Sequence, residues 1–319
     1  MKMPTEPPVT AQAVDCSQVA DWSRQVGWDI DYQQVGRGSF NSWFSVASCE
    51  RLLLTNQFCN RETVIDGSPP PDMVAVVLPA GNSPLGVYEG TTLRPNDALV
   101  LLSGEGRCLR SPAGFRACTI SIPRTTLEEA VGHFAHCEAA TVFPKSQSFA
   151  FSPNRIRRMA ATVCSLTSPQ QGSLGQITTA ELQDRLLQEL ANGVCQDRQD
   201  LKQHARRHER AEHVSKARDY IEAHLEQTIL LSQIAACVGV SVRTLELAFR
   251  DLLGVTPTEY IRTRRLNRLR QQLLKEGRVI RTLTDMAMEQ GLLHLGRFSR
   301  NYKDLFGELP SHTLARTRQ

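Results

Sequence analysis

The feature that most restricts how this chain can fold is an internal repeat in its last third. Ile234-Ala235 precedes Gly239 as Met286-Ala287 precedes Gly291, and Leu245 and Phe249 then return as Phe298 and Tyr302. Gly254 and Pro257 return as Gly307 and Pro310. The offset is 52 residues up to the first glycine and 53 beyond it, because the second turn is one residue longer. A duplicated supersecondary unit follows. Each copy has a small residue where two helices can cross closely, a glycine at a turn, and a second helix anchored by apolar residues four apart. Those are the physical needs of a helix-turn-helix.

Any helical hairpin can carry such spacing, so the opposite face of the second helix decides. On a wheel of about 100° per residue, Leu245, Ala248, Phe249 and Leu252 share one side, and Arg243, Glu246, Leu247 and Arg250 the other. In the second copy Phe298, Asn301, Tyr302 and Leu305 group inward, while Gly296, Ser299, Arg300 and Lys303 face away. Arg can bond guanine bidentately, Glu can accept from cytosine N4, and an aliphatic tip can meet a thymine methyl. An ordinary solvated face is the competing reading of the same residues. Ser241 can cap the first of these helices, and Thr282 with Asp285 resembles a capping box before the second.

At this point a resemblance becomes specific. Ser241-Val242-Arg243-Thr244-Leu245, Gly254-Val255-Thr256-Pro257, Tyr260-Ile261-Arg262, Gly291 to Phe298, and Phe306-Gly307-Glu308-Leu309-Pro310-Ser311 resemble the DNA-binding domain of the AraC/XylS family. The match runs from about Val214 to Arg316, and the second-copy stretches are most similar to the subgroup with the benzoate-responsive and ethanolamine-utilisation regulators. The resemblance implies two recognition helices in successive major grooves, held apart by a connecting helix over Thr258 to Lys275 that is rich in arginine. It implies base contacts from Arg243, Glu246 and Leu247 in the first unit and from Gly296, Arg297 and Arg300 in the second. Arg250 and Lys303 would meet phosphates. Two positions depart from the family pattern: Leu230 replaces a polar helix cap, and Gly296 offers backbone rather than a side chain.

The implied protein is a sequence-specific transcription regulator, expected to be an activator. It would bind double-stranded promoter DNA as a homodimer, recruit RNA polymerase and respond to a small-molecule effector. It is not expected to be an enzyme or to need a cofactor, and it is expected in the cytoplasm. Charge agrees with a basic C-terminal part: Arg210 to Gln319 hold 18 Lys and Arg against 12 Asp and Glu, leaving 19 against 21 before them. A DNA-repair alkyl acceptor fused to such a domain is the enzymatic alternative, and no Pro-Cys-His-type motif surrounds any of the nine cysteines.

The remainder of the chain reads differently. From Tyr32 to Pro123, short apolar runs alternate with Gly, Pro, Asn and Asp, as in an antiparallel sandwich or small barrel. Helical periods follow at Leu127 to Cys137, Ser152 to Leu166 and Thr178 to Asn192, the last with Leu182, Leu186 and Leu190 on one stripe that could pack internally or self-associate. The expected fold is α+β in two domains: an N-terminal cupin-like β-sandwich or barrel with helices, then an all-α domain with two helix-turn-helix units. The expected boundaries are an extension over 1–31, an effector and dimerisation domain over 32–195, a polar linker over 196–211 and the DNA-binding domain over 212–319. Candidate effector contacts are Trp43, Arg51 and Tyr88, with Phe58, Arg61, Arg107 and Arg110 as further aromatic or cationic possibilities. No histidine precedes His133, which argues against a cupin metal centre; His133, His136 and Cys137 form the nearest approach to a ligand cluster. The cysteines show no Cys-x-x-Cys pair and read mainly as small buried residues of a reducing compartment. No apolar run approaches the roughly 20 residues of a membrane span, and the N-terminus lacks the apolar segment of a secretory signal.

Overall fold

The computed structural model describes residues 6–49, 51–81, 84–105, 107–135, 146–168, 179–196, 205–275, 282–292 and 295–316. Its N-terminal half is built on two facing antiparallel sheets. The large sheet runs in the order β1 (Glu6–Ala13), β3 (Ser42–Ser48), β4 (Leu53–Cys59), β11 (Phe115–Pro123), β6 (Met73–Pro79), β9 (Asp97–Leu102) and β12 (Gln147–Ala150). The small sheet runs β2 (Asp29–Gln34), β5 (Thr63–Ser68), β10 (Arg107–Ser111), β7 (Val87–Tyr88) and β8 (Thr91–Thr92). The continuous apolar run of β6 is buried at every position, as a strand covered on both faces requires.

That double cover explains the layers. Helices α2 (Arg124–Ala135), α3 (Pro153–Leu166) and α4 (Thr179–Gln196) close the outer face of the large sheet over Leu54, Val76, Val100 and Ile120. Leu182, Leu186 and Leu190 of α4 belong to this core, so the leucine stripe is spent on its own domain rather than offered to a second copy. Between the sheets, Phe44, Val77, Leu99 and Phe115 meet Ile30, Tyr32, Ile65 and Leu109. Helix α1 (Cys16–Gln25) joins this inner core through Cys16, Val19 and Ala20, and Asp15 caps it by accepting from Ser17 N at 2.9 Å.

The stretch before Tyr32, expected as an extension, instead supplies β1, α1 and the start of β2. Its Pro-Pro-Val-Thr composition hid an edge strand, where proline's missing donor costs no ladder bond. The polar linker expected over 196–211 is helical from Ala205, where α5 (Ala205–Ala223) begins.

The C-terminal part continues as α6 (Leu231–Val238), α7 (Val242–Leu253), α8 (Pro257–Lys275), α9 (Leu283–Glu289), α10 (Leu295–Phe306) and α11 (Pro310–Arg316). Two apolar clusters hold it. Ile221, Ile234, Leu245, Phe249 and Tyr260 form the first; Leu269, Leu273, Met286, Phe298, Tyr302 and Phe306 form the second. Helix α8 serves both, its first turns one cluster and its last turns the other.

The outer face of the small sheet seats these helices. Alternate residues of its strands point inward, so Asp31, Val64, Asp66 and Cys108 are left to point outward. Arg264 of α8 bridges Asp31 and Glu222, and Arg218 of α5 pairs with Asp66 while donating to Tyr260 Oη at 3.1 Å. Asn267 of α8 treats the free edge of β2 as a strand partner would. Its Nδ2 donates to Gln34 O at 3.0 Å and its Oδ1 accepts from Gln34 N at 3.1 Å. Arg270 is buried, pairing with Asp15 and, at 2.8 Å, with Glu308, while its guanidinium lies 4.6 Å from the centre of the Phe306 ring.

Exposure ranks these ion pairs. The Arg270 and Asp15 side chains are 5% and 3% exposed, against 19% and 29% for Arg264 and Asp31. Removing one partner of a buried pair strands an uncompensated charge and costs about 3–5 kcal/mol, whereas a water-screened pair contributes about 0–1 kcal/mol. Arg270→Ala is therefore expected to lower the unfolding free energy by about 3–5 kcal/mol in urea titration, and Arg264→Ala by clearly less.

Candidate nucleic-acid interface

Helices α6 and α7 are bent by 87° across Gly239, near the 90–120° of a helix-turn-helix. The turn needs a residue in the left-handed region, and Gly239 has φ 79°. Gly291 repeats it with φ 68°, and the C-terminal glycines of the two recognition helices, Gly254 and Gly307, have φ 67° and 78°. Every glycine of the sequence repeat is thus a position where a side chain is resisted.

The capping residues act as the sequence suggests. Ser241 Oγ accepts from Thr244 N at 3.1 Å. Thr282 and Asp285 exchange backbone-to-side-chain bonds of 3.1 and 3.2 Å. Leu230 gives α6 no side-chain cap; Gln233 Oε1 compensates by accepting from Leu230 N at 3.0 Å.

With Leu245, Ala248, Phe249 and Leu252 buried, α7 turns Arg243, Leu247 and Arg250 to solvent and leaves Glu246 half-buried at the rim. Leu247 is 49% exposed, which leaves its aliphatic tip open to a partner. On α10, Phe298, Tyr302 and Leu305 are buried, and Arg297, Arg300 and Lys303 are exposed. Gly296 lies in the first turn of α10. Arg243, Arg297, Arg300 and Lys303 make no ion pair with any described residue.

The connector arginines are different. Besides the pairs of Arg264 and Arg270, Arg265 donates to the carbonyls of Leu225 at 2.9 Å, Gly291 at 3.0 Å and Gln227 at 2.5 Å. It thereby ties the start of the first unit to the turn of the second. Through Arg264, Arg265 and Arg270 the arginine-rich connecting helix acts as an internal strut.

The sandwich touches the far end of both recognition helices. Gly38 N and Gln34 Nε2 donate to Leu305 O at 3.0 and 2.7 Å, at the end of α10. Arg110, paired with Glu62, lies so close over Gly254 that a β-carbon there would overlap its guanidinium, and Gly90 faces Leu252. Sequence reading missed Gln34, Asp15 and Asn267 in this role. The available signal was an Asn among apolar heptad-like positions of α8, where a buried amide needs a dedicated partner.

On its inner side the small sheet borders a cavity of about 60 Å3. Its wall includes Tyr32, Phe44, Gln57, Ile65, Tyr88 and Phe115, and no charged side chain among the described residues lines it. Tyr32 Oη donates to Gln57 Oε1 at 3.0 Å, and burial pushes the Tyr32 phenol up.

Of the candidate effector residues only Tyr88 lies here. Trp43 follows the opposite strand phase to Phe44 and stacks on Phe58 at 6.3 Å on the outer face of the large sheet. Arg51 pairs with Asp184 of α4 at 2.5 Å. Arg61 donates to Ser39 O at 3.1 Å. His133 is exposed, whereas His136 and Cys137 lie outside the described residues. Among the described residues no group of three or more His, Cys, Asp or Glu could hold a metal ion. No single described helix is long and apolar enough to cross a membrane.

Residues 234–316 match the family described as a helix-turn-helix domain. Over 96 residues, 30% of this chain and 29% of the relative, the chain is 41% identical to the probable thc operon regulatory protein of Rhodococcus erythropolis. Over 97 residues it is 42% identical to the XylDLEGF operon transcriptional activator 3 of Pseudomonas putida, again covering 30% of this chain and 29% of that protein. A solved structure described as a probable AraC family transcriptional regulator from Rhodopseudomonas palustris is 35% identical, with 34% of this chain and 99% of that chain covered and a TM-score of 0.32. The alignments span under a third of the length of these two curated relatives. Residues 234–316 carry a helix-turn-helix domain.

Gly239 has open space where a β-carbon would stand, so Gly239→Ala adds left-handed strain alone, about 1–2 kcal/mol. A β-carbon at Gly291 would come within 2.9 Å of Arg265 Cζ and displace its three carbonyl contacts. Gly291→Ala is expected to cost more than Gly239→Ala in chemical denaturation, although the two φ values are alike.

Proposed function

We propose that this chain is a sequence-specific transcription regulator that binds double-stranded promoter DNA through both helix-turn-helix units and acts as an activator. The observation that carries this reading is the exposed basic face on two recognition helices, unpaired among the described residues, beside a connecting helix whose Arg264, Arg265 and Arg270 are taken up by internal contacts. Arg243, Glu246 and Leu247 read bases in the first unit. Arg297 and Arg300 do so in the second, where Gly296 lets backbone approach the groove. Arg250 and Lys303 meet phosphates. The activator role follows the likeness to relatives named as operon activators; RNA polymerase as a partner and a homodimer on repeated sites complete the proposal. An AraC-type domain of the subgroup with the benzoate-responsive and ethanolamine-utilisation regulators is part of the same proposal, and it rests on the motif residues of the two units.

The sandwich serves as a cupin-like effector module, with residues 32–195 as its main body and 212–319 as the DNA-binding part. The uncharged wall around Tyr32, Gln57 and Tyr88 favours a small neutral, largely apolar effector over an anion. A ring-sized ligand needs a cavity on the order of 150 Å3, so its entry would have to move one of the two sheets. The small sheet is the one that carries the DNA-binding helices.

Fluorescence anisotropy with a duplex from the adjoining promoter tests the DNA reading. A bidentate base contact contributes about 1–3 kcal/mol, so Arg243→Ala and Arg300→Ala are each expected to weaken binding about tenfold or more and to relax preference at one position. Lys303→Ala is expected to weaken all sequences alike and to reduce the salt slope by about one. Unchanged affinity in both arginine variants would remove the assignment.

A further inference from the structure

Two of the thiols in the sandwich meet, and the DNA-binding reading makes no use of them. Cys118 of β11 and Cys164 of α3, 46 residues apart in sequence, bring their sulfurs to 3.6 Å. Cys118 is buried and Cys164 is half-buried, so one sulfur is shielded and the other is reachable from solvent. Asn56 of β4 serves both, its Nδ2 donating to Cys164 Sγ at 3.4 Å and its Oδ1 accepting from Cys118 Sγ at 3.7 Å.

Charge adds to this geometry. The hydrogen bond from Cys118 pulls the Cys164 thiol below its ordinary range, burial opposes, and the Asn56 amide and the nearby Arg116 guanidinium assist. The same hydrogen bond, with burial, pushes Cys118 up. A reachable thiolate beside a shielded thiol is the division of labour between an attacking and a resolving cysteine. Cys16, Cys49, Cys59 and Cys108 have no such neighbour among the described thiols, and burial pushes each of them up.

We propose that Cys118 and Cys164 form a redox-active dithiol that hydrogen peroxide closes to a disulfide. The Cys164 thiolate attacks one peroxide oxygen, the O–O bond breaks, and after proton transfer water leaves, with Cys164 oxidised to the sulfenic acid. The Cys118 sulfur then attacks the sulfenic sulfur, the S–O bond breaks, and the hydroxyl leaves as a second water with the Cys118 proton. Two thiols and one peroxide thus give one disulfide and two waters. The sulfurs need only close from 3.6 Å to about 2.0 Å. The product staples α3 to the centre of the large sheet.

The test uses the full chain with Cys237→Ser, which removes the exposed thiol of α6. After peroxide treatment, and before any alkylation, the intact mass is expected to fall by about 2 Da relative to the reduced protein, the loss of two thiol hydrogens, and alkylation followed by digestion is expected to give a Cys118–Cys164 linked peptide that dithiothreitol abolishes. Cys118→Ser should leave a sulfenic acid at Cys164 that dimedone traps, and Cys164→Ser should yield neither product. A link between any other cysteines, or oxidation of Cys164 to the sulfinic acid without a link while Cys118 is present, would overturn the proposal. Both readouts are taken on the Cys237→Ser chain itself, so misfolding of either further variant leaves the proposal falsifiable.

Discussion

Successive side chains of a β-strand point to opposite faces, and here one layer of strands therefore belongs to two domains at once. Tyr32 faces the cavity and Asp31, its neighbour, holds Arg264; Ile65 faces the cavity and Asp66 holds Arg218; Leu109 faces the cavity, and Arg110 reaches the end of α7. Among the described residues no hinge or mediating element stands between cavity and helices. A shift of the small sheet by even a fraction of an ångström is felt on both sides, because close-packed interiors transmit displacement rather than absorb it.

The polar contacts across this layer act more on placement than on net stability. Burying Arg270 with Asp15 and Glu308 recovers little beyond its desolvation cost, and an apolar substitute of similar shape could do as well energetically. What such a cluster does is admit a single arrangement. Arg270 satisfies Asp15 of the sandwich and Glu308, Tyr302 and Thr313 of the second unit together. Asn267 accepts only one register against the edge of β2. Arg265 ties the first unit to the second. The second helices of the two units, α7 and α10, are held in one relation by bonds of which several originate in the N-terminal half.

The helical third was legible in sequence because its constraints are local. A glycine forced to positive φ, an N-capping serine and apolar residues four apart each depend on a few neighbours, so Gly239, Ser241, Leu245 and Phe249 announced their roles. The central strands were legible for the same reason, being long apolar runs. The edges were not: β1 is polar and largely exposed, and β2 is polar with part of its burial coming from α8, far away in sequence. Trp43 and Arg51 read as effector contacts because strand phase and ion-pair partner cannot be read one residue at a time. The roles of Arg264 and Arg270 of α8 were not legible because their acidic partners, Asp31, Asp15 and Glu222, are supplied by other elements. The Cys118 and Cys164 pair was equally hidden, since 46 residues and a change from strand to helix separate the two.

The claim at the centre of this account is that the sandwich fixes the relation between the two recognition helices. Pulsed electron-paramagnetic-resonance distances between spin labels at Leu247 of α7 and Asp304 of α10, attached through non-natural residues to spare the thiols, measure it directly. The full chain is expected to give one narrow distance distribution, and Asn267→Ala combined with Arg264→Ala, which loosens the seat while leaving both helical cores intact, a broader or displaced one. Identical distributions in the two proteins would contradict the account and would mean that α8 alone sets the spacing.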